Sequence, residues 1–338
     1  MIEVKNLTKK YGEHIAVDHL SFHIDRGMIY GFLGPNGAGK STTMNMMTGY
    51  IAATEGTVTI NGYDMLKEPE KAKKSVGYLP EIPPVYTDMT VWEYLKFAAE
   101  LKKVPRAERI EQIESIMEQT GIEEVSGRLI KNLSKGYKQR VGLAQAMIGY
   151  PEVIILDEPT VGLDPKQIIE MRELMRELAK KHTVILSSHI LSEVSAVCDH
   201  IMIISKGKLV ASDTREGLMT MLRGGIEMSL CVKGEQERLE KVLQDYPQIT
   251  GYSFGTSKEK DCIVVDLKIQ RNEDIREALF YQLNDAKLPI MELTLKERTL
   301  EDVFLELTGE DEEQEGMESK SIEKVSEKEE EPVDDSNI

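Results

Sequence analysis

The segment Gly34-Pro35-Asn36-Gly37-Ala38-Gly39-Lys40-Ser41 carries glycines, a lysine and a hydroxyl in the pattern G-x-x-x-x-G-K-S. Glycines let a backbone curl until successive N–H groups converge, which suits phosphate oxygens. A helix starting at the end of the loop adds the partial positive charge of its N-terminus. Lys40 can then reach β- and γ-phosphates and the Ser41 hydroxyl can ligate Mg²⁺, with Thr42 completing the expected nucleotide-binding segment. Farther along, Asp157 and Glu158 end the run Val153-Ile154-Ile155-Leu156. A carboxylate at the C-terminal end of a buried parallel strand sits where such sheets bind ligands. Asp157 suits a Mg²⁺ shell, and Glu158 suits deprotonation of a water that attacks a γ-phosphate. A glycine-rich turn or an acidic strand end is ordinary by itself; the two together point to phosphate chemistry on a nucleoside triphosphate.

Such a loop needs a strand before it and a helix after it. Short alternating runs predict strands over Ile2–Leu7, His14–Ile24, Met28–Leu33 and Thr57–Ile60, and a helical segment follows Ser41. From Thr87 to Met147 the pattern becomes helical, with Thr90 and Glu93 at capping-box spacing. Val153–Asp157 and Thr183–Leu186 predict buried strands, and Asp164-Pro165 opens a helix between them. This alternation predicts an α/β fold with a helix-covered parallel sheet. Beyond Met219 the pattern predicts strand 226–233, helix 235–245, strands 248–255 and 260–269, helix 273–285 and strand 288–295. That βαββαβ order predicts a small α+β, ferredoxin-like domain. Ile275, Ala278, Leu279, Tyr281 and Leu283 of its second helix are expected in the core. A short helix is expected near Leu300–Leu307.

Leu133-Ser134-Lys135-Gly136-Tyr137-Lys138-Gln139-Arg140 resembles the signature of ABC ATPases, a Leu-Ser-Gly-Gly-Gln run followed by a basic stretch. Ser134 can cap a helix, and its hydroxyl with the Gly136 N–H can meet a γ-phosphate. Tyr11 occupies the position that stacks on adenine in that family. Gly162-Leu163-Asp164 resembles its D-loop, and His189, after Ser187-Ser188, its switch histidine. The resemblance covers residues 1–220. It implies a RecA-like phosphate-loop cassette with an antiparallel β subdomain and a helical signature subdomain over about 81–147. The domains expected are therefore 1–220, the small domain 221–309 and an acidic tail 310–338.

The resemblance implies ATP and Mg²⁺ as ligands. Lys40, Glu158 and His189 would be catalytic, Ser41, Asp157 and Glu81 would hold the metal, and Leu133–Tyr137 would act on the ATP of an opposite subunit. Two departures stand out. Glu81, in Tyr78-Leu79-Pro80-Glu81, replaces the family's glutamine, so it adds a charge and cannot donate a hydrogen bond when ionised. Lys135 and Tyr137 stand where Gly and Gln are commoner. The segment from Glu81 to Leu95, with Thr299–Gly309, looks like the ABC-2 export branch of bacterial gliding-motility-type and drug-export ATPases. That branch implies a separate transmembrane permease, a second ATPase subunit (the same chain or another) and a place at the cytoplasmic face of the membrane. The alternatives are a soluble, non-transport ABC ATPase and a regulatory nucleotide switch. A single phosphate loop, no coiled-coil insertion and an intact Lys40, Asp157, Glu158 and His189 weigh against them.

Composition agrees. The 338 residues suit two domains, and 41% apolar content suffices for a core. A net charge of −17 argues against a nucleic-acid partner. Residues 310–338 hold 13 acidic side chains against three lysines and few apolar residues, so this tail is expected to be disordered. No stretch comes near the roughly 18 apolar residues of a spanning helix. The start, MIEVKNLTKKYG, has no apolar signal core. Cys198, Cys231 and Cys262 show no CxxC pairing and are expected as reduced thiols. His14, His19, His23, His182 and His200 match no motif and are expected to be surface or strand residues.

Overall fold

A computed structural model describes residues 1–221, 226–256, 261–270, 274–296 and 299–309. The tail 310–338 and the expected element starts at residues 260 and 273 lie outside them. The chain forms two compact units, Met1–Arg215 and Glu216–Glu306.

The first unit opens with β1 (Ile2–Tyr11), β2 (His14–Ile24), β3 (Ile29–Leu33), α1 (Lys40–Met47), β4 (Glu55–Ile60), β5 (Tyr63–Asp64), α2 (Pro69–Lys74) and β6 (Val76–Leu79). The helical segment holds α3 (Val91–Leu101), α4 (Arg109–Thr120) and α5 (Lys135–Met147). Then come β7 (Val153–Asp157), α6 (Pro165–Ala179), β8 (Thr183–Ser188), α7 (Leu191–Val197), β9 (His200–Ser205) and β10 (Lys208–Thr214). Strands β1, β2, β4 and β5 make an antiparallel sheet in the order β2-β1-β4-β5. The second sheet runs β10-β9-β3-β8-β7-β6, parallel except for β10 at its edge.

Every residue of β3, β7 and β8 is buried, as strands covered on both faces require. One core joins the two sheets and α1: Ile2, Val4, Leu20 and Ile60 pack with Phe32, Met44, Met47, Ile155 and Ile185. The predicted signals act where expected. Thr90 and Glu93 form a reciprocal capping box at α3, Ser134 caps α5 and Asp164 caps α6 with Pro165 in its first turn.

Sheet order decides where the chemistry sits. Strand β8 lies between β3 and β7, with Leu33 opposite Ser188 and Asp157 opposite Ser187. The loop after β3, the carboxylates ending β7 and the turn after β8 therefore emerge side by side from one edge.

The second unit contains β11 (Ile226–Lys233), α9 (Gln236–Gln244), β12 (Ile249–Thr256), β13 (Cys262–Ile269), α10 (Arg276–Asp285) and β14 (Ile290–Lys296), after a short α8 (Arg215–Met221) that begins at the boundary. Its sheet is antiparallel in the order β12-β13-β11-β14, the ferredoxin-like arrangement expected. Leu239 and Leu243 of α9 and Leu279 and Leu283 of α10 pack on Met228, Leu230, Val265 and Leu267. The expected face of α10 is too wide. Ile275, Leu279 and Leu283 are buried, but Ala278 and Tyr281 are exposed, because an i, i+4 stripe suffices to cover this small sheet. A further helix spans 300–309. His182 also differs from expectation: it is buried, with Nδ1 2.6 Å from the Pro151 carbonyl oxygen. Among the described residues no helix is long and apolar enough to cross a membrane.

Candidate nucleotide site

The loop between β3 and α1 brings its backbone close to two other segments. Gly39 has φ +100°, and a Cβ there would lie 2.5 Å from the Ala16 carbonyl oxygen, so only glycine fits. The buried Lys40 ammonium donates to the carbonyls of Gly34 at 2.9 Å and Pro35 at 3.2 Å. It also lies 3.6 Å from Glu158 Oε1.

The strand ends supply the acids. Asp157 is buried, and its Oδ1 accepts from the Ser41 hydroxyl at 3.1 Å and from the Ser187 hydroxyl. The Ser187 Oγ in turn accepts the Glu158 N–H at 3.1 Å. Glu158 is buried too and takes φ +47°, a conformation that costs a non-glycine residue on the order of 1 kcal/mol or more. That turn aims its carboxylate between two nitrogens, Lys40 Nζ on one side and His189 Nδ1 at 3.0 and 3.1 Å on the other. His189 itself is exposed, so its ring can turn outward.

A cleft of about 590 Å³ joins these groups. It is lined by Asn36, Gly37, Gly39, Lys40, Ser41 and Thr42 of the loop, by Glu158, Val161 and His189, and by Tyr11, His14, Ala16 and Glu81. Gly34, Pro35 and Ala38 complete the loop, Gly34 and Ala38 buried and Pro35 exposed. Tyr11 is 52% exposed, with the Lys9 ammonium 5.1 Å from its ring centroid. Glu81 is exposed and also lines a second cleft of about 850 Å³, shared with Ser41, Asp157, Tyr50, Tyr78, Ile82 and Lys102. Burial and the nearby Asp157 hold the Tyr78 hydroxyl well above its usual pKa. Lys102 donates to the Ala146 and Ile148 carbonyls at 3.0 and 2.8 Å, and burial pushes its ammonium down to about 8.

The signature segment lies elsewhere. None of Leu133, Ser134, Lys135, Gly136 and Tyr137 lines the phosphate-loop cleft, and neither do Gly162, Leu163 and Asp164. Those two groups lie against each other instead. A Cβ on Gly136 would meet the Gln167 side chain of α6, and one on Gly162 would meet Lys135. Leu133 is buried, Ser134 Oγ accepts the Tyr137 N–H at 3.4 Å, and the Tyr137 hydroxyl donates to Glu124. The Leu163 N–H reaches the Thr160 carbonyl at 3.2 Å, and Asp164 Oδ1 accepts the Gln167 N–H at 2.9 Å.

Three residues of the site escaped the sequence. His14 lines the cleft beside Tyr11. Ser187 bridges Asp157 and Glu158. Glu193 of α7 is buried, and its Oε2 accepts the Thr160 and Ser188 hydroxyls, the latter at 3.2 Å. It thereby ties the turn after Glu158 to the turn before His189. No sequence signal marks Glu193: in Leu191-Ser192-Glu193-Val194 it reads as an ordinary acid in the first turn of a helix.

Comparison with known proteins gives a consistent picture. The family model described as ABC transporter matches residues 17–161. The bacitracin transport ATP-binding protein of Bacillus licheniformis is 34% identical over 311 residues, covering 91% of this chain and 97% of that one. The linearmycin resistance ATP-binding protein of Bacillus subtilis (strain 168) is 31% identical over 310 residues, covering 91% and 98%. A solved ATP-binding subunit of an ABC transporter superposes with a TM-score of 0.60 at 32% identity, over 65% of this chain and 92% of that one.

Proposed function

Because this chain belongs to the ABC transporter ATP-binding family, an ATPase family, we propose that it powers export through a separate transmembrane permease. ATP is its substrate, and water is the nucleophile. The relatives named for bacitracin transport and linearmycin resistance support the export direction, and the segments Glu81–Leu95 and Thr299–Gly309 support the bacterial ABC-2 branch. The working unit is two copies of this chain at the cytoplasmic face of the membrane. One chain carries both a phosphate loop and a signature that keeps Ser134 and Gly136, so two copies can complement each other across a two-fold axis.

The Glu158 carboxylate carries this reading. It sits 3.6 Å from Lys40 Nζ and 3.0 Å from His189 Nδ1, held by the Ser187 hydroxyl that accepts its N–H. Lys40 leaves the Gly34 and Pro35 carbonyls to bind β- and γ-phosphate oxygens. Glu158 takes a proton from water as its oxygen bonds to the γ-phosphorus and the bond to the leaving ADP oxygen breaks. General-base action of this kind contributes about 10²- to 10⁴-fold. His189 keeps the attacking water and the γ-phosphate in place. Ser41 and Asp157, 3.1 Å apart with Glu81 on the wall, are hard oxygen donors of the kind that would hold Mg²⁺, which supplies charge neutralisation of the phosphates. Tyr11 offers its ring to adenine. Ser134 and Gly136 meet the γ-phosphate held by the second copy, and Gly162–Asp164 cross beside it. The segment after Glu81 carries closure to the permease.

Glu158→Gln tests this. ATP binding should persist within threefold, turnover should fall at least about 10²-fold, and light scattering should show a stable ATP-dependent dimer. Unchanged phosphate release removes Glu158 from the role of base.

A further inference from the structure

Strand β14 (Ile290–Lys296) is the outer strand of the second unit's sheet, paired with β11 on one side and, among the described residues, with no strand on the other. A free edge presents a row of backbone N–H and C=O groups to any strand that comes alongside. Leu293 lies opposite Leu230 and Leu295 opposite Met228, both fully buried, so the two leucines stand on the helix-covered face. Yet Leu293 and Leu295 are each 37% exposed and Met291 52%, because the core under α9 and α10 takes in Ile290 of this strand and stops there. The opposite edge differs. Strand β12 turns Ile249, Tyr252 and Phe254 onto that core, and Gly251, Gly255 and a register shift interrupt it. Strand β14 has its register shift at its start, beside Val232, and runs regularly from Glu292 to Leu295 with no glycine or proline.

The strand is complementary to its own copy. Laid antiparallel about Leu293, it sets Leu293 opposite Leu293, Leu295 opposite Met291 and Glu292 opposite Thr294. A slip of one residue puts apolar against polar side chains. Centring on Glu292 sets two carboxylates face to face, and centring on Thr294 leaves Met291 facing Glu297. We propose that β14 is a self-pairing edge: antiparallel to the β14 of a second copy of this chain, with Leu293 at the two-fold axis, it joins two four-stranded sheets into one of eight. The two-fold axis closes the contact, so no third copy adds there. Five residues a side is less than a permanent dimer buries, so the copies exchange. The contact still raises the concentration at which one ATPase unit meets another. In the two-chain reading above, it makes the second ATPase subunit another copy of this chain and keeps it near while nucleotide is absent. The pairing itself needs no nucleotide and rests on the second unit alone.

Added cysteines read the register in the full chain, without nucleotide. Antiparallel partners have Cα atoms about 4.5–5.5 Å apart, within disulfide reach. Under diamide, which takes up the two thiol hydrogens, Leu293→Cys should give a disulfide-linked dimer about tenfold faster than the natural chain with its Cys198, Cys231 and Cys262. Glu292→Cys and Thr294→Cys should each stay near the natural rate alone and link when mixed, because they face each other. Adding Leu295→Lys to Leu293→Cys, at a position already exposed, should slow the linking about fivefold, since both halves of the symmetric pair lose an apolar contact. Circular dichroism of the same chain reports that it folds. Leu293→Cys that links no faster than the natural chain overturns the assignment. So does linking of Glu292→Cys or Thr294→Cys alone at the Leu293→Cys rate, or a rate that Leu295→Lys leaves unchanged. Each of these results leaves the two-chain reading standing, whereas absence of an ATP-dependent dimer in Glu158→Gln overturns that reading and leaves the β14 pairing in place.

Discussion

Around Asp157 and Glu158 the polar atoms find partners within the chain: Ser41, Ser187, Lys40 and His189 all lie within 3.6 Å of one of the two carboxylates. At the signature corner Ser134 is exposed and, among the described residues, its hydroxyl hydrogen-bonds within its own helix turn, and Lys135 rests on a glycine. The first region is a folded cradle, needing only its ligand. The second has the right groups for phosphate, and no phosphate loop of its own chain within the same cleft. The difference fits the two-chain reading proposed above, in which the chain holds halves of two sites rather than one site and a spare motif. Within the cradle the left-handed backbone of Glu158, at φ +47°, is strain that the chain itself sustains.

The sharpest way to break this contrast is Ser134→Arg. A bulky cation at the exposed cap should abolish turnover, by about 10²-fold or more, while ATP binding by the isolated chain stays within threefold. If ATP affinity of the monomer falls equally, the signature corner belongs to the chain's own site and the contrast fails. A smaller effect is expected inside the cradle. Glu193→Ala leaves the buried Thr160 and Ser188 hydroxyls without their shared acceptor and loosens the turns that aim Glu158 and His189. Steady-state kcat should drop about tenfold with KM little changed, and Glu193→Gln, which keeps an acceptor oxygen, should recover most of it. The smallest effect lies at the far end of the signature helix. Burial depresses the Lys102 pKa to about 8, so the folded state bears a cost for the charged ammonium that is fully present below pH 8. That cost is released as pH rises from 8 towards the unfolded value near 10.5, so the natural chain should gain stability relative to Lys102→Met over this window, by on the order of 1 kcal/mol or more. Denaturant melts at pH 7 and pH 10 would show it, with turnover per folded molecule serving as the measure that this pair of carbonyl contacts is structural. A gap that is constant with pH would mean the ammonium titrates normally.

The cradle was legible because its residues are close in sequence or end a buried apolar run. Gly34–Ser41 declares itself by spacing, and Asp157-Glu158 by the four branched and apolar residues before it. What spacing does not carry is the insertion of β8 between β3 and β7, and that insertion is what brings Ser187 to Asp157 and His189 to Glu158. Glu193 was hidden for a related reason: a helical acid looks solvated until α7 packs it against Thr160. The signature corner was legible as a motif, but its local geometry was not. No pattern in Leu133–Arg140 indicates that Lys135 lies along Gly162, because that contact depends on how α5 and α6 meet. In the second unit, the strand order followed from element order, whereas the width of the apolar face of α10 was overestimated by counting Ala278 and Tyr281 as core.

Mixing two inactive variants tests the division into half-sites most directly. Ser134→Arg keeps the cradle and loses the signature; Glu158→Gln keeps the signature and loses the base. Each alone should release phosphate at under about one-hundredth of the natural rate. Combined in equal amounts, they should regain up to about a quarter of it, because half of random pairs are mixed and each mixed pair rebuilds one whole site. A mixture no more active than its two components would contradict the account.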